Sequence, residues 1–263
     1  MIRDYLVFRL YGLMCSWGDI AVGEVRPSTV HPAKSAILGL IAAALGIKRP
    51  NTAHDDTERA ALEVTHSALA QGYGFAVRVD APGVPLVDYH TAQVPSSGTG
   101  RNRRQFATRR DELLAVPRAE LNTILSRRDY RVDALYTVTL WARRGAPHSL
   151  AELATRLHEP VFALYLGRKS CPPALPLAAQ VVTADNIQNA MDNAALPLPD
   201  DFARHLVTPN TVPALYWDED GDAGLPVQHT FTRRDAVYSR RRWQFQSRSE
   251  HHAALPVQES TDV

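Results

Sequence analysis

The sequence predicts an α+β protein built around a ferredoxin-like, RRM-like core, and three stretches carry that expectation. Residues 4–10, DYLVFRL, place Tyr5, Val7 and Arg9 on one face and Leu6, Phe8 and Leu10 on the other, the period of a strand. The segment AKSAILGLIAAALGI is apolar on most faces, which marks a buried helix. Farther on, Ala134–Trp141 alternates Leu135, Thr137 and Thr139 with Tyr136, Val138 and Leu140, and a helical SLAELATRL follows. Strand, helix, strand and helix in this order describe two βαβ-like passages.

The connecting elements follow from local chemistry. Gly12 and Gly18 bracket an expected loop holding Met14 and Trp17. Pro32 falls where a helix begins, because the first turn has no use for its missing N–H. Residues 55–70 read as a second helix and Phe75–Val79 as a strand. Ser149 is placed to cap the helix after the second strand passage. The long polar run 88–131, flanked by strand-like segments, suits a protruding β-hairpin arm rather than a core element. Residues 175–248 read as short strands joined by Pro- and Gly-containing turns, and the chain from about Glu250 as a polar tail. The expected organisation is therefore a domain at 1–178 including the 88–131 arm, a smaller β-rich portion at 179–249, and a tail at 250–263.

Composition narrows the functional classes. The 263 residues are enough for a sizeable core. Cys15 and Cys171 are the only cysteines and lie far apart, so neither a disulfide framework nor a cysteine-built metal site is expected. No cofactor or metal is called for. The apolar run 36–47 is too short to span a bilayer, and the N-terminus lacks a signal-peptide core, so a cytoplasmic protein is expected.

A formal net charge of +1 conceals local bias. Between Arg101 and Arg131 stand nine arginines against four acidic residues. A second cluster comprises Arg233, Arg234, Arg240, Arg241, Arg242 and Arg248. Arginine grips phosphate oxygens with two donors and stacks on base faces. Tyr130, Tyr238, Trp243 and Phe245 are interleaved and suited to unpaired bases. The competing explanation is a solvated surface whose arginines find acidic partners.

Two motifs bear on the chemistry. Gly72–Arg78, GYGFAVR, nearly repeats the aromatic RNA-stacking signature of RRM domains, but a core strand with Phe75 buried is the preferred reading. In Tyr165–Ser170, YLGRKS, Gly167 permits a sharp turn and close backbone approach while Arg168, Lys169 and Ser170 supply donors. No phosphate-binding G-x-x-x-x-G-K-[ST] and no H-E-x-x-H is present. His31 and His90 lie near basic residues and are candidates for acid–base RNA cleavage, weighed against capping and positioning roles.

Taken in order, RLYGLMCSWG from Arg9, RPSTVHPAKSAILGLI from Arg26, DYHT from Asp88, RDYRVDALYTVTLW from Arg128 and YLGRKSCPPALPL from Tyr165 resemble the CasD family. These are subunits of type I-E CRISPR Cascade within the RAMP superfamily. The resemblance covers about residues 3–178. It implies an RRM-like RAMP domain with a thumb-like β-hairpin and a smaller C-terminal portion. It further implies binding of the 5′ handle of mature crRNA, contact with CasC backbone subunits and the CasA large subunit, and access to target DNA through the assembled complex. On this reading Arg26, Lys34, Ser35, Tyr165, Gly167, Arg168, Lys169 and Ser170 face the RNA. His90, Arg101, Arg103, Arg104, Arg109 and Arg110 belong to the thumb and its backbone-subunit contact. Trp17 is divided between packing beneath the loop and stacking on a base. No catalytic residue is assigned; the alternative is a metal-independent endoribonuclease that processes precursor crRNA, as in type I-C relatives.

Overall fold

The computed structural model describes residues 2–95, 106–199, 202, 205–206 and 212–255. Among the described residues nine strands form one sheet, and its order explains how the chain is built. The first strand, β1 (Arg3–Cys15), is followed by a short β2 (Val25–Arg26) and two helices, α1 (Lys34–Ala44) and α2 (Asp56–Gly72). Then come β3 (Tyr73–Ala81), β4 (Val84–Pro95), α3 (Arg109–Leu114), β5 (Leu121–Ala142), α4 (Leu150–His158) and β6 (Gln180–Ala184). The chain continues through α5 (Ile187–Asn193), β7 (Ala214–Asp218), β8 (His229–Ser239) and β9 (Gln244–Ala254).

Four strands run side by side in the order β6-β1-β5-β3, each antiparallel to its neighbour. With α1 and α2 between β1 and β3, and α4 between β5 and β6, this is a βαββαβ unit in the ferredoxin-like arrangement. The expected α+β class and core are therefore observed. β7, β9 and β8 extend the sheet from the β3 edge. The C-terminal portion expected at 179–249 is thus joined to the core through strand pairing at both ends, by β6 on β1 and β7 on β3.

Period-two alternation divides the sheet into two buried faces. Leu6, Phe8 and Leu10 of β1, Phe75, Val77 and Val79 of β3, and Tyr136, Val138 and Leu140 of β5 pack beneath Ile37, Leu38 and Ile41 of α1, Leu69 of α2, and Leu153 and Leu157 of α4. On the opposite face Tyr5, Val7, Ala76 and Trp141 meet Ile187, Ala190 and Met191 of α5. Tyr11 and Leu135 lie beside Leu206 and the partly buried Phe202. Arg9, also on this face, is buried; its guanidinium donates to the carbonyls of Pro176, at 3.0 Å, and Pro197. That face is consequently closed to a base stacking on the sheet. Phe75 is wholly buried, so GYGFAVR is a core strand.

Three local expectations are corrected. β1 runs through Gly12 to Cys15 instead of ending at a loop, because Gly12 pairs with Ala134 and lets the 166–172 segment close over the strand. α1 starts at Lys34, and the Asp235 carboxylate, from β8, accepts the Lys34 N–H at 2.8 Å. Pro32 therefore precedes the helix rather than opening it. Residues 250–254 belong to β9, with Glu250 fully buried, so the expected tail begins too early; 256–263 lie outside the described residues. Ser149 caps α4 as expected, accepting from the Glu152 N–H at 3.1 Å. Among the described residues no helix is long and apolar enough to cross a membrane.

The arm is a continuation of the core. β3 pairs with β5 as far as Ala81 opposite Leu135, and β4 then pairs with the same strand from Val84 opposite Val132 to Pro95 opposite Leu121. At ~3.3 Å per residue, the 12 residues of β4 carry the hairpin about 40 Å along its length. The joint lies at Pro82–Gly83 and Asp133, where Gly83 has φ +64° and Asp133 φ +55°. A Cβ on Gly83 would sit 2.3 Å from the Val132 carbonyl. Tyr11 Oη donates to the Asp133 carboxylate at 3.0 Å, and Arg131 donates to the Pro82 and Gly83 carbonyls. These bonds fix the joint from both strands.

Candidate nucleic-acid interface

The 165–170 loop sits where the arm leaves the sheet. Ser16 N–H donates to the Leu166 carbonyl at 3.1 Å, and Leu166 N–H to the Cys171 carbonyl at 2.7 Å. These clamp the loop against the end of β1. Gly167 adopts φ +85°, and a Cβ there would stand 1.8 Å from the Ser16 carbonyl oxygen and 3.6 Å from the Trp17 ring. Only glycine fits such an approach without displacement. Trp17 is buried and meets Tyr136 edge to face at 5.8 Å, so it packs beneath the loop rather than offering a stacking face.

Arg168 positions the loop. It donates to the Asp129 carbonyl at 3.2 Å and to the Arg26 carbonyl at 3.1 Å, and its guanidinium lies 4.5 Å from the centroid of Tyr130. Tyr130 is itself buried, which removes it from the base-stacking candidates. β2 pairs in parallel with β5, setting Val25 opposite Arg127 and Arg26 opposite Arg128. The site thus brings Arg26, Arg128, Arg168 and the exposed Lys169 and Ser170 together at the base of the arm, while Arg127 lies on the other face of β5, paired with Asp129 at 3.2 Å. Exposed Arg26 donates to the carbonyls of Gly23 and Val25, so its charge remains without a carboxylate partner among the described residues.

Lys34 does not join this group. Its side chain is buried, and Nζ donates to Asp218 at 2.6 Å. Burial lowers the Lys34 pKa, and Asp218 opposes that effect. Asp218 is shared with Arg143 at 2.8 Å and Arg248 at 2.9 Å, and Arg248 also engages Asp235 and Glu250 at 2.6 Å each. Burial alone would lower the Arg248 pKa, but the carboxylates outweigh it and raise it. This network ties α1 to β7, β8 and β9. Lys34 and Arg248 are thereby structural, and Arg233, 3.6 Å from Glu250, belongs with them. Ser35 contributes its backbone carbonyl, which accepts from Arg240 at 2.8 Å.

The histidine candidates separate likewise. His31 is buried, stacked on Tyr216 at 4.0 Å and 3.3 Å from Glu250. Burial would raise the Glu250 pKa, but the His31 contact and the charges of His31, Arg248 and Arg233 outweigh it and hold the carboxyl down at about 2. A group enclosed in this way has no access to an RNA hydroxyl. His90 is exposed on the arm, paired with Asp88 at 3.1 Å.

On the arm, Arg109 engages Glu112 and the Gln93 carbonyl, and Arg110 is exposed. Arg101, Arg103 and Arg104 lie outside the described residues. Val87, Tyr89 and Leu125 are exposed on β4 and β5, and their register places them on one face of the hairpin. Cys15 and Cys171 are buried thiols, and burial pushes Cys15 up to about 11, which suits packing rather than reactivity.

One grouping is not visible in sequence motifs. Arg49, after α1, donates to Tyr165 Oη at 2.9 Å and lies 5.6 Å from the Trp243 ring centroid; Arg240 lies 5.2 Å from the same ring. The β8–β9 turn thereby reaches the 165–170 loop through Arg49. The run Arg240–Arg241–Arg242–Trp243 signals a basic aromatic turn, but its landing place is set by tertiary structure.

A ferredoxin-like core extended into a basic arm, with a glycine loop locked at its root, places the chain among the CRISPR-associated proteins. Residues 5–249 match the family described as "CRISPR-associated protein (Cas_Cas5)", and the chain belongs to it. Among its relatives, the CRISPR system Cascade subunit CasD of Escherichia coli (strain K12) is 34% identical over 193 residues, covering 73% of this chain and 77% of that protein. In fold, it is similar to a chain of a CRISPR RNA-guided surveillance complex, with TM-score 0.60 and 23% identity over 95% of this chain and 89% of the other. A structure described as a crystal structure of Cas protein gives TM-score 0.53 and 24% identity over 96% and 95% of the two chains.

Proposed function

We propose that this chain is a Cascade subunit that holds the 5′ handle of mature crRNA at the base of its arm and does not cut it. The observation that carries the reading is the convergence of Arg26, Arg128 and Lys169 on a glycine loop fixed by Arg168. Phosphates are neutralised by the exposed cations, while loop backbone near Gly167 and Ser170 offers donors to sugar and base edges. The closed sheet face supports this location, since an RRM-type stacking surface on the sheet is filled by α5 and Arg9. The likeness to the Escherichia coli subunit supports membership of a Cascade assembly. The arm, with Val87, Tyr89 and Leu125 exposed on one face, is the surface for CasC backbone subunits, and CasA and target DNA are met through the assembled complex.

The non-catalytic part of the reading is supported by the burial of His31 against Glu250. The test is incubation of the purified chain with its own labelled CRISPR repeat RNA in metal-free buffer, resolved on a denaturing gel. An intact repeat, with the handle retained alongside backbone subunits, is the expected result. A single cut at the base of the repeat stem, lost in His90→Ala, would establish a processing nuclease instead.

A further inference from the structure

Trp243, in the β8–β9 turn, combines two features uncommon for a tryptophan. Its backbone occupies φ +56°, a region costly for a bulky residue, and its indole is 54% exposed. The other three tryptophans are buried. Beside it, Arg49 and Arg240 both approach the ring, at 5.6 and 5.2 Å, and neither forms an ion pair with a carboxylate among the described residues. Burial and the neighbouring Arg49 charge lower Arg240 to about 10, although Tyr165 and Glu63 oppose this. Glu63 is engaged at the same turn, accepting from the Arg241 N–H at 2.9 Å. Two converging guanidinium groups, neither in an ion pair among the described residues, beside a strained, exposed indole form a receptor for an anion attached to an aromatic ring.

We infer that Trp243, Arg49 and Arg240 form a second RNA subsite for one unpaired nucleotide, the base stacking on the indole and its phosphate taken by the arginines. The inference rests on the proposed handle binding. It extends the path from the Tyr165–Ser170 loop, which Arg49 joins through the Tyr165 hydroxyl. The run to Arg241 and Arg242, both exposed, continues it outward.

The experiment uses the full chain and a single-stranded RNA carrying its repeat-derived 5′ handle. Trp243 is the one exposed tryptophan among the four, so iodide quenching of tryptophan emission reports on it. RNA is expected to shield that emission. Trp243→Asn, a residue that tolerates left-handed backbone, is expected to keep the thermal melt and weaken RNA binding by about ten- to a hundredfold, whereas Trp243→Phe stays within about threefold. Wild-type affinity in Trp243→Asn, or unchanged iodide quenching on RNA binding, would overturn the subsite while loss of affinity in Lys169→Ala kept the handle reading intact. If the isolated chain binds no RNA, the same variants are compared by crRNA retained on the co-purified complex; equal retention in Trp243→Asn overturns the subsite, and a complex that assembles without crRNA contact to either region overturns both.

Discussion

Replacing Gly167 by alanine tests how the proposed RNA loop is held. The new Cβ would lie 1.8 Å from the Ser16 carbonyl oxygen, against the 3.0 Å or more that real contacts keep, so loop or strand must move by over an ångström. That displacement breaks the Ser16 N–H bond to the Leu166 carbonyl, worth about 1 kcal/mol net. The positive φ adds about 1–2 kcal/mol for a residue with a side chain. The sum is a loss of roughly 2–3 kcal/mol. Gly145 provides the control: its φ is +84°, with nothing within 4 Å of an added Cβ, so Gly145→Ala incurs the conformational cost alone. Urea unfolding of both variants gives the stability difference, and RNA affinity measured well below the transition gives the functional one. Gly167→Ala is expected to be the less stable and to bind RNA at least tenfold more weakly, with Gly145→Ala binding normally. Equal losses in the two variants, or normal RNA binding by Gly167→Ala, would refute the steric account of the loop.

Other outcomes follow from the same geometry. Lys34→Ala should cost about 3 kcal/mol in urea unfolding, the lower end for breaking a buried pair because Arg143 and Arg248 still serve Asp218, and leave RNA affinity within twofold. Lys169→Ala should lower RNA affinity modestly and reduce the salt dependence of binding by about one unit of slope, read from affinities at several salt concentrations. Glu250 titrates at about 2 in the folded chain against an ordinary 4.5, so its stabilising contribution of about 3 kcal/mol is complete above pH 4.5 and disappears as pH falls through 2. Denaturation midpoints across that window should show a steeper acid limb in the native chain than in Glu250→Gln. Tyr89→Asp on the arm should reduce co-purification with backbone subunits without shifting the thermal melt, because the side chain is exposed.

The core is legible in the sequence because residues 4–10 and 134–141 alternate on two apolar faces, and both faces are buried in the sheet. The arm is legible for the opposite reason, a long polar run with no core to enter. Lys34 misleads: the family resemblance sets it among the RNA-facing residues, and Asp218, which neutralises it, lies 184 residues away. The end of the sheet is hidden for a related cause. Glu250, His251 and His252 read as a solvated tail, yet Arg248 and His31 supply the partners that allow Glu250 to be buried, and Tyr216 packs against the half-buried His252. Trp243 is conspicuous as an aromatic among arginines, but no local pattern reveals that its turn meets Arg49.

The unbroken run of β5 from arm to core has a consequence for how such arms diverge. Because side chains alternate strictly, adding one residue to β4 or β5 turns over every side chain between the insertion and the tip, whereas matched pairs added to both strands lengthen the arm and preserve its faces. The joint at Gly83 and Asp133 is indifferent to either change, being anchored from Tyr11 and Arg131. Reach is therefore adjustable in steps of about 7 Å, one dipeptide at a time, without retuning the root.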